Sequence, residues 1–354
     1  MVDISVLDKN LAISAALAPD VKEQFVFYDI DQSPFAIYGV FREGDHYVRI
    51  PTAIAKTVSE PVVNLNQYTS GGRIRFVTDS KQIAIHAVCY NRQPMSHMAF
   101  TGTTGFDVYA EVNDNQQYFG TFKPPVDCKG VFEGVVALPP EGKHTVQINM
   151  PLYNGVYRVF VGIEKGATLE KAEPLLQPPV VYYGSSITQG GCASRPGCTY
   201  QAMLHRHFQT DYINLGFSGN ARAETEIMEY IASLPMSAFV YDYDHNAPNR
   251  DHLRDTHQRG YRIIREKHPD IPIILMTRPK YYLNDVLLER NQIIRQTYEN
   301  ALAAGDKNIY FIDGRELLLP EAREYSLVDN THPTDLGFFG MYSRLLPLMK
   351  TLVK

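Results

Sequence analysis

Ser186 and His332 are the residues through which this chain could do chemistry. Ser186 follows the apolar run Val180-Val181-Tyr182-Tyr183 across the short link Gly184-Ser185, and a helix-forming segment comes soon after. A serine on a tight, glycine-assisted turn at the end of a buried strand has its hydroxyl at the rim of a sheet, with backbone N–H groups beside it. Acyl-transfer enzymes display a nucleophile in this way. A βα-loop serine can equally be a plain helix cap, so the decision rests on what lies downstream. To attack a carbonyl the hydroxyl must lose its proton, which calls for an imidazole within hydrogen-bond reach. Of eleven histidines, His332 is the one paired with a carboxylate, Asp329, at three-residue spacing ahead of a helix, where Pro333 suits the first turn. Asp329 can accept from one ring nitrogen, fix the tautomer and leave the other nitrogen for Ser186.

Two further strand-like runs between these residues end in polar motifs, Asn214-Leu215-Gly216-Phe217-Ser218-Gly219-Asn220 and Asp242-Tyr243-Asp244-His245-Asn246. From residue 176 onward strands alternate with helices. The strands are expected at Val180–Tyr183, Tyr212–Leu215, Ala238–Tyr241, Ile271–Thr277 and Asn308–Ile312. The helices are expected at Thr199–Phe208, Glu224–Leu234, Arg250–His268, Asp285–Ala304 and Pro333–Val353. Such alternation makes a parallel sheet covered by helices on both faces, and ligands of these sheets bind beyond the carboxyl ends of the strands. All the motif residues fall there.

Serine, glycine, asparagine and histidine in that order, the first three at strand exits, resemble the SGNH (GDSL-type) hydrolases over about residues 176–354. The resemblance implies a flavodoxin-like α/β domain with Ser186 as nucleophile and Asp329 and His332 as its relay. It also implies an oxyanion hole built from the backbone N–H groups of Ser186 and Gly219 and the side-chain amide of Asn246. Each such donor is typically worth ~3 kcal/mol of barrier. Two departures from the family pattern stand out. Gly-Asp-Ser is here Gly184-Ser185-Ser186, and Gly-x-Asn-Asp is here Asp244-His245-Asn246-Ala247. The second leaves Asp244 at the expected mouth of the site, placed to hold a neighbouring donor or a substrate hydroxyl. Asp242, Asp244 and His245 could also supply metal ligands, but strand alternation puts the two aspartates on one face and the histidine on the other. No metal or cofactor is expected.

The first half, residues 1–175, reads as an all-β sandwich of jelly-roll type, made of short period-two strands such as Arg73–Thr78, Gln82–Val88, Phe106–Val112 and Val156–Ile163. Turns rich in Asn, Pro and Gly separate them. Gly105-Phe106-Asp107-Val108-Tyr109 resembles the Gly-x-Asp-Leu-Tyr signature found ahead of some SGNH esterases. By that resemblance Asp107 and Tyr109 approach the cleft. A jelly roll followed by an SGNH domain is similar to bacterial carbohydrate esterases that remove acetyl groups from plant polysaccharides or their oligosaccharides. Arg195, in Gly190-Gly191-Cys192-Ala193-Ser194-Arg195-Pro196-Gly197, would then steer a sugar hydroxyl. With no Trp and 23 Tyr, sugar stacking would fall to tyrosines such as Tyr281-Tyr282.

The chain has 354 residues, 44% hydrophobic and 21% charged, with a net charge of −5. That is the composition of a globular protein with well-buried cores, without the basic field that nucleic acid requires. No stretch approaches ~18 consecutive apolar residues, so no membrane span is expected. Neither Met1–Asp8 nor the apolar patch Leu11–Ala18 has the flanks of a signal peptide. The chain as given therefore reads as cytoplasmic, or as secreted or periplasmic if a leader was trimmed. Four cysteines are too few for a disulfide scaffold; Cys192 and Cys198, which bracket a short loop, are either bridged or free. The leading expectation is an acetylesterase acting on carbohydrate. The alternatives are a small-ester or lipid acylhydrolase of the same fold and a non-catalytic glycan-binding protein.

Overall fold

The computed structural model describes residues 13–352, together with Val6. Of the stretch Met1–Asp8 only Val6 is described, and Leu11 and Ala12 also lie outside the described residues. Among the described residues no helix is long and apolar enough to cross a membrane.

The first half is built from two antiparallel sheets. One runs β1 (Phe25–Asp29), β11 (Val156–Glu164), β6 (Gln82–Cys89), β9 (Val131–Ala137) in spatial order. The other runs β12 (Leu169–Glu170), β5 (Arg73–Thr78), β10 (His144–Asn149), β7 (Phe106–Val112), β8 (Asn115–Phe122), with β2 (Ala36–Tyr38) also paired to β5. A separate hairpin pairs β3 (Phe41–Glu43) with β4 (His46–Val48). Ile74, Phe76, Ile83, Ile85, Phe106, Val108, Phe132 and Val161 form one shared core, as period-two alternation requires. The two faces of β5 differ in an informative way. Ile74 and Phe76 enter the sandwich core, while Arg73 and Arg75 on the opposite face are buried too.

The second half is a five-stranded parallel sheet of order β14 (Thr210–Gly216), β13 (Leu176–Gly184), β15 (Ala238–Asp242), β16 (Ile273–Met276), β17 (Ile309–Ile312). Along β13 successive residues serve opposite layers. Val181 and Tyr183 join one core with residues of α5 (Thr225–Ser233), α6 (Arg250–Lys267) and α7 (Asp285–Ala303). Val180 and Tyr182 join a second core with α3 (Ser186–Gln189), α4 (Tyr200–Phe208) and α8 (Asp335–Leu352). Gly184 stands opposite both Gly216 and Asp242 in register. The carboxyl ends of three strands therefore line up at the turn that carries Ser186.

The antiparallel sheets end with β12 and the parallel sheet begins with β13 at Leu176. Residues 52–66, in a half expected to be all strand, form α1 (Thr52–Val58) and α2 (Glu60–Asn66). Their Ala55 and Val62 pack into the α/β core. The halves are also tied at β14, the edge strand of the parallel sheet. An edge strand leaves alternate carbonyls unpaired, and here buried arginines from the first half take them. Arg73 Nη2 donates to Tyr212 O at 2.9 Å and Arg49 Nη1 to Asn214 O at 3.3 Å and to Gly216 O. Arg73 also pairs with Asp211. Burial lowers the Arg49 guanidinium to about 9.

Candidate active site

The nucleophile turn is set by local rules. β13 stops at Gly184, where a Cβ would lie 2.1 Å from Asp242 O and 2.2 Å from Thr188 Oγ1, so only glycine fits. Ser185 then caps the one-turn α3, its hydroxyl accepting from Ile187 N at 3.2 Å. Ser186 is thereby left as the first helical residue, with its own hydroxyl free for another partner. That partner is His332, whose Nε2 accepts from Ser186 Oγ at 2.9 Å. On the far side of the ring, Nδ1 donates to Asp329 Oδ2 at 2.8 Å. The Asp-x-x-His spacing achieves this because the chain turns back at Asn330, which adopts a left-handed φ of 62°. Asp329 Oδ1 accepts from the backbone N–H groups of Thr331 and His332, at 3.1 and 2.8 Å. Partial burial by itself would raise the Asp329 carboxyl, but the hydrogen bonds from His332 outweigh it and hold the group at about 2.

Gly219 lies three residues beyond β14 with φ +70°, and a Cβ there would meet nothing within 4 Å. Glycine is needed here for its backbone conformation, and the space over it is open. Among the described residues neither Ser186 N–H nor Gly219 N–H has a protein acceptor. Asn246 closes the turn Asp244–Asn246 after β15, and its Nδ2 donates to Phe217 O at 2.9 Å. An amide nitrogen has two protons, so one fixes Asn246 beside the Gly219 loop and the second is available. Ser218 N in turn donates to Gln189 Oε1 at 3.0 Å, tying that loop to α3.

Asp107, Tyr109, Arg195 and Asp244, expected at the substrate, are each engaged by protein partners. Asp107 is fully buried and saturated. Its Oδ2 accepts from Arg195 Nη1 at 2.7 Å and Gly197 N at 2.8 Å, and its Oδ1 from Asn149 Nδ2 at 2.8 Å. Tyr109 is 4% exposed and also holds Arg195, whose guanidinium lies 3.9 Å from the Tyr118 ring centroid. Carboxylate, phenol and arginine thus clamp the loop that follows the nucleophile to the β half. Asp244 is buried between Arg278 and Arg290, each with Nε 2.8 Å from its carboxylate. Burial opposes its ionisation, but the two guanidiniums win and hold it well below the usual carboxylate range. Its neighbour Asp242 goes the other way, raised well above that range by burial and by Asp244. The metal-ligand reading of this stretch therefore has one carboxylate committed to arginines and one whose ionisation burial disfavours. Asp244 and His245 also lie in a short helical turn rather than on a strand.

Sequence reasoning missed what the β half adds to the rim. Tyr153 donates from its hydroxyl to Ser186 O at 3.1 Å, and Ser70 Oγ donates to Gln189 O at 2.6 Å. His97, half-buried, stands with its ring centroid 5.4 Å from that of His332. Cys192, buried, donates from its backbone N–H to Pro333 O at 3.2 Å. Nothing in Gln93-Pro94-Met95-Ser96-His97-Met98 marks it locally, since its role is set by a contact more than two hundred residues away in sequence. Cys192 and Cys198 are both free and buried.

A parallel sheet of this order, with a Ser–His–Asp relay at the carboxyl ends of its strands, defines an SGNH-type ester hydrolase. The family models agree. Residues 177–350 match the GDSL-like Lipase/Acylhydrolase family, and residues 25–169 match the model described as "N-terminus of Esterase_SGNH_hydro-type". The chain belongs to this family of esterases. Among solved structures, a protein from Bacteroides ovatus described as a GDSL-like lipase is 28% identical with a TM-score of 0.84, over 93% of this chain and 98% of the other. The salicylyl-acyltransferase SsfX3 of a tetracycline biosynthetic pathway covers the same shares at 21% identity and a TM-score of 0.76. An acetyl xylan esterase of the rumen bacterium Butyrivibrio proteoclasticus matches 92% of this chain and 98% of its own at 13% identity and a TM-score of 0.57. The last two likenesses concern the fold. A comparison with curated proteins returns no match.

Proposed function

We propose that this protein is a serine esterase that removes O-acetyl groups from carbohydrate. The observation that carries the esterase reading is the continuous relay Ser186 Oγ–His332–Asp329 at 2.9 and 2.8 Å. In this reading His332 Nε2 takes the Ser186 proton as Oγ attacks the acetyl carbonyl. Charge builds on the carbonyl oxygen, opposite the N–H groups of Ser186 and Gly219 and the second amide proton of Asn246. On collapse His332 returns the proton to the leaving sugar alkoxide, and water releases acetate from Ser186 by the same steps in reverse. Every proton transfer has a donor and an acceptor in the protein, so a Lewis acid is redundant. A non-catalytic glycan-binding role would need this relay broken, and its geometry is intact.

Carbohydrate is favoured by the aromatic rim next to the catalytic loop. Tyr281 and Tyr282 meet edge to face at 5.1 Å, and Arg323 lies 3.2 Å over Tyr281. Lys280 Nζ donates to Asn330 O at 3.0 Å, one residue from Asp329. These residues line one cleft together with Leu327 and Asn330, and Tyr282 is 74% exposed. Aromatic faces flanked by hydrogen-bonding groups suit sugar rings. The acetyl xylan esterase with the same architecture supports that substrate class by analogy. A lipid or small-ester hydrolase is the second reading, favoured by the lipase description of the Bacteroides ovatus relative.

Acetate release from acetylated mannan and xylan, set beside 4-nitrophenyl esters of rising chain length, separates the two. An acetyl-sized pocket loses ~1–3 kcal/mol of discrimination for each methylene it cannot place. Efficiency should therefore fall steeply from acetate to butyrate, with acetate released from polysaccharide. Efficiency that climbs with chain length, with no acetate released from either polysaccharide, would sink the carbohydrate reading.

A further inference from the structure

Two side chains from separate segments converge on His332. His97 comes from the β half, Cys192 from the loop after the nucleophile, and His332 from the loop before α8. Each offers one donor atom, and the three atoms lie within 4.8 Å of one another. Tetrahedral metal–nitrogen and metal–sulfur bonds of ~2.0–2.3 Å require ligand atoms somewhat closer than that. Binding would have to draw the three atoms together, and His97 sits in a segment whose Pro94 and Ser96 are exposed. One thiolate and two imidazoles suit a borderline-soft ion such as Zn²⁺ and not Mg²⁺ or Ca²⁺.

The relay gives this cluster a consequence. Both ring nitrogens of His332 are already in use, Nε2 toward Ser186 and Nδ1 toward Asp329. A metal that takes either nitrogen must replace one of those hydrogen bonds. Bound through Nε2 it removes the base; bound through Nδ1 it removes the carboxylate that orients the ring. In both cases the relay is interrupted.

We propose that His97, Cys192 and His332 form a site for a thiophilic divalent cation, and that its occupation switches the esterase off reversibly. As the metal–sulfur bond forms, the Cys192 thiol gives its proton to solvent, and removal of the metal restores the starting state without any redox step. The switching part of this proposal rests on the reading of His332 as the base, whereas the binding part does not.

The experiment has two readouts on the full chain after chelation. Cd²⁺ added without substrate should raise an ultraviolet thiolate-to-metal band in the wild type that is missing in Cys192→Ala and weakened in His97→Gln. Zn²⁺ at micromolar levels should suppress hydrolysis of 4-nitrophenyl acetate, with recovery on adding a chelator and no effect from Mg²⁺. Each variant, measured against its own metal-free rate, should need at least about tenfold more Zn²⁺ for half-inhibition, as expected when a site loses part of its ligand support. Circular dichroism shows whether each variant is folded, and the half-exposed His97 gives the milder change. A Cd²⁺ band that survives in Cys192→Ala overturns the site. Equal Zn²⁺ sensitivity in the wild type and both folded variants overturns it as well. A band at Cys192 in a wild type whose activity Zn²⁺ leaves untouched overturns the switch. If the metal-free protein hydrolyses no ester at all, the esterase reading fails, and the Cd²⁺ arm still decides the site.

Discussion

Asp329 and Asp107 each accept from a nitrogen donor in a charge-assisted contact, Asp329 from His332 at 2.8 Å and Asp107 from Arg195 at 2.7 Å. Their surroundings differ. The Asp329 side chain is 37% exposed and its partner is a ring whose second nitrogen faces a hydroxyl. Asp107 is 0% exposed, and both of its oxygens accept hydrogen bonds from protein groups. A carboxylate in a polar, open setting can change its hydrogen bonding as charge moves through a reaction. A sealed and saturated one can only hold position. Proximity to the nucleophile loop is common to both, so closeness by itself does not identify a catalytic group.

Several measurements would break or sharpen that contrast, and the largest effect belongs to the relay. Ser186→Ala should lower kcat by about 10⁴-fold or more with an unchanged melting curve, and a serine-directed fluorophosphonate should label Ser186 alone. Turnover near the wild-type value would remove the relay from the mechanism.

Asp329→Asn should reduce kcat by up to about 10⁴-fold, because an amide cannot hold the ring in the same tautomer. KM should change little, and 4-nitrophenyl acetate kinetics separate the two constants.

Asp107→Ala should read out differently, as lost stability. It leaves the Gly197 N–H and the Asn149 amide without their acceptor and Arg195 with Tyr109 alone, and breaking a buried pair from one side typically costs about 3–5 kcal/mol. Denaturant unfolding measures this. Any accompanying loss of kcat should be equal on 4-nitrophenyl acetate and on acetylated oligosaccharide, because the clamp positions a loop and touches no sugar. A selective loss on the oligosaccharide would return Asp107 to the substrate.

The smallest effect concerns pH. With its folded value lowered to about 2 from an unfolded value near 3.9, Asp329 adds stability above the unfolded value and loses it as pH falls through the folded one. The side chain is substantially exposed, so solvent screening keeps that contribution small. The carboxylate also stays ionised throughout the working range. An inflection of kcat/KM above about pH 4 therefore belongs to another group and should persist, on a lower plateau, in Asp329→Asn. Its disappearance there would assign the inflection to Asp329.

Much of this was legible because short-range rules set it. The strands at Arg73–Thr78 and Phe106–Val112 and the helices at Arg250–Lys267 and Asp285–Ala303 fall where periodicity placed them, to within a residue. In the first half, α1 and α2 were missed. Thr52-Ala53-Ile54-Ala55-Lys56-Thr57-Val58 carries β-branched residues that read as strand, and it becomes helical through packing on the α/β core. At the candidate site, Ser186, Asp329 and His332 come together as their spacing suggested.

The sequence by itself determined the order of the elements, the turn that displays Ser186 and the spacing that lets Asp329 meet His332. Those depend on dihedral preferences, strand and helix periods and a reach of a few residues. Only the tertiary structure decided which polar groups are spent and which are free. Arg73 and Arg75 alternate with Ile74 and Phe76 as they would on a strand with one face in water, yet a second domain covers that face and turns Arg73 into a cap for β14. Asp107, Arg195 and Asp244 look like site residues until their partners are counted, and His97 looks like a loop residue until the fold sets it beside His332. A side chain's hydrogen-bond partners lie mostly far away along the chain, and the cost of leaving a buried polar group unpaired is charged only once the surfaces meet.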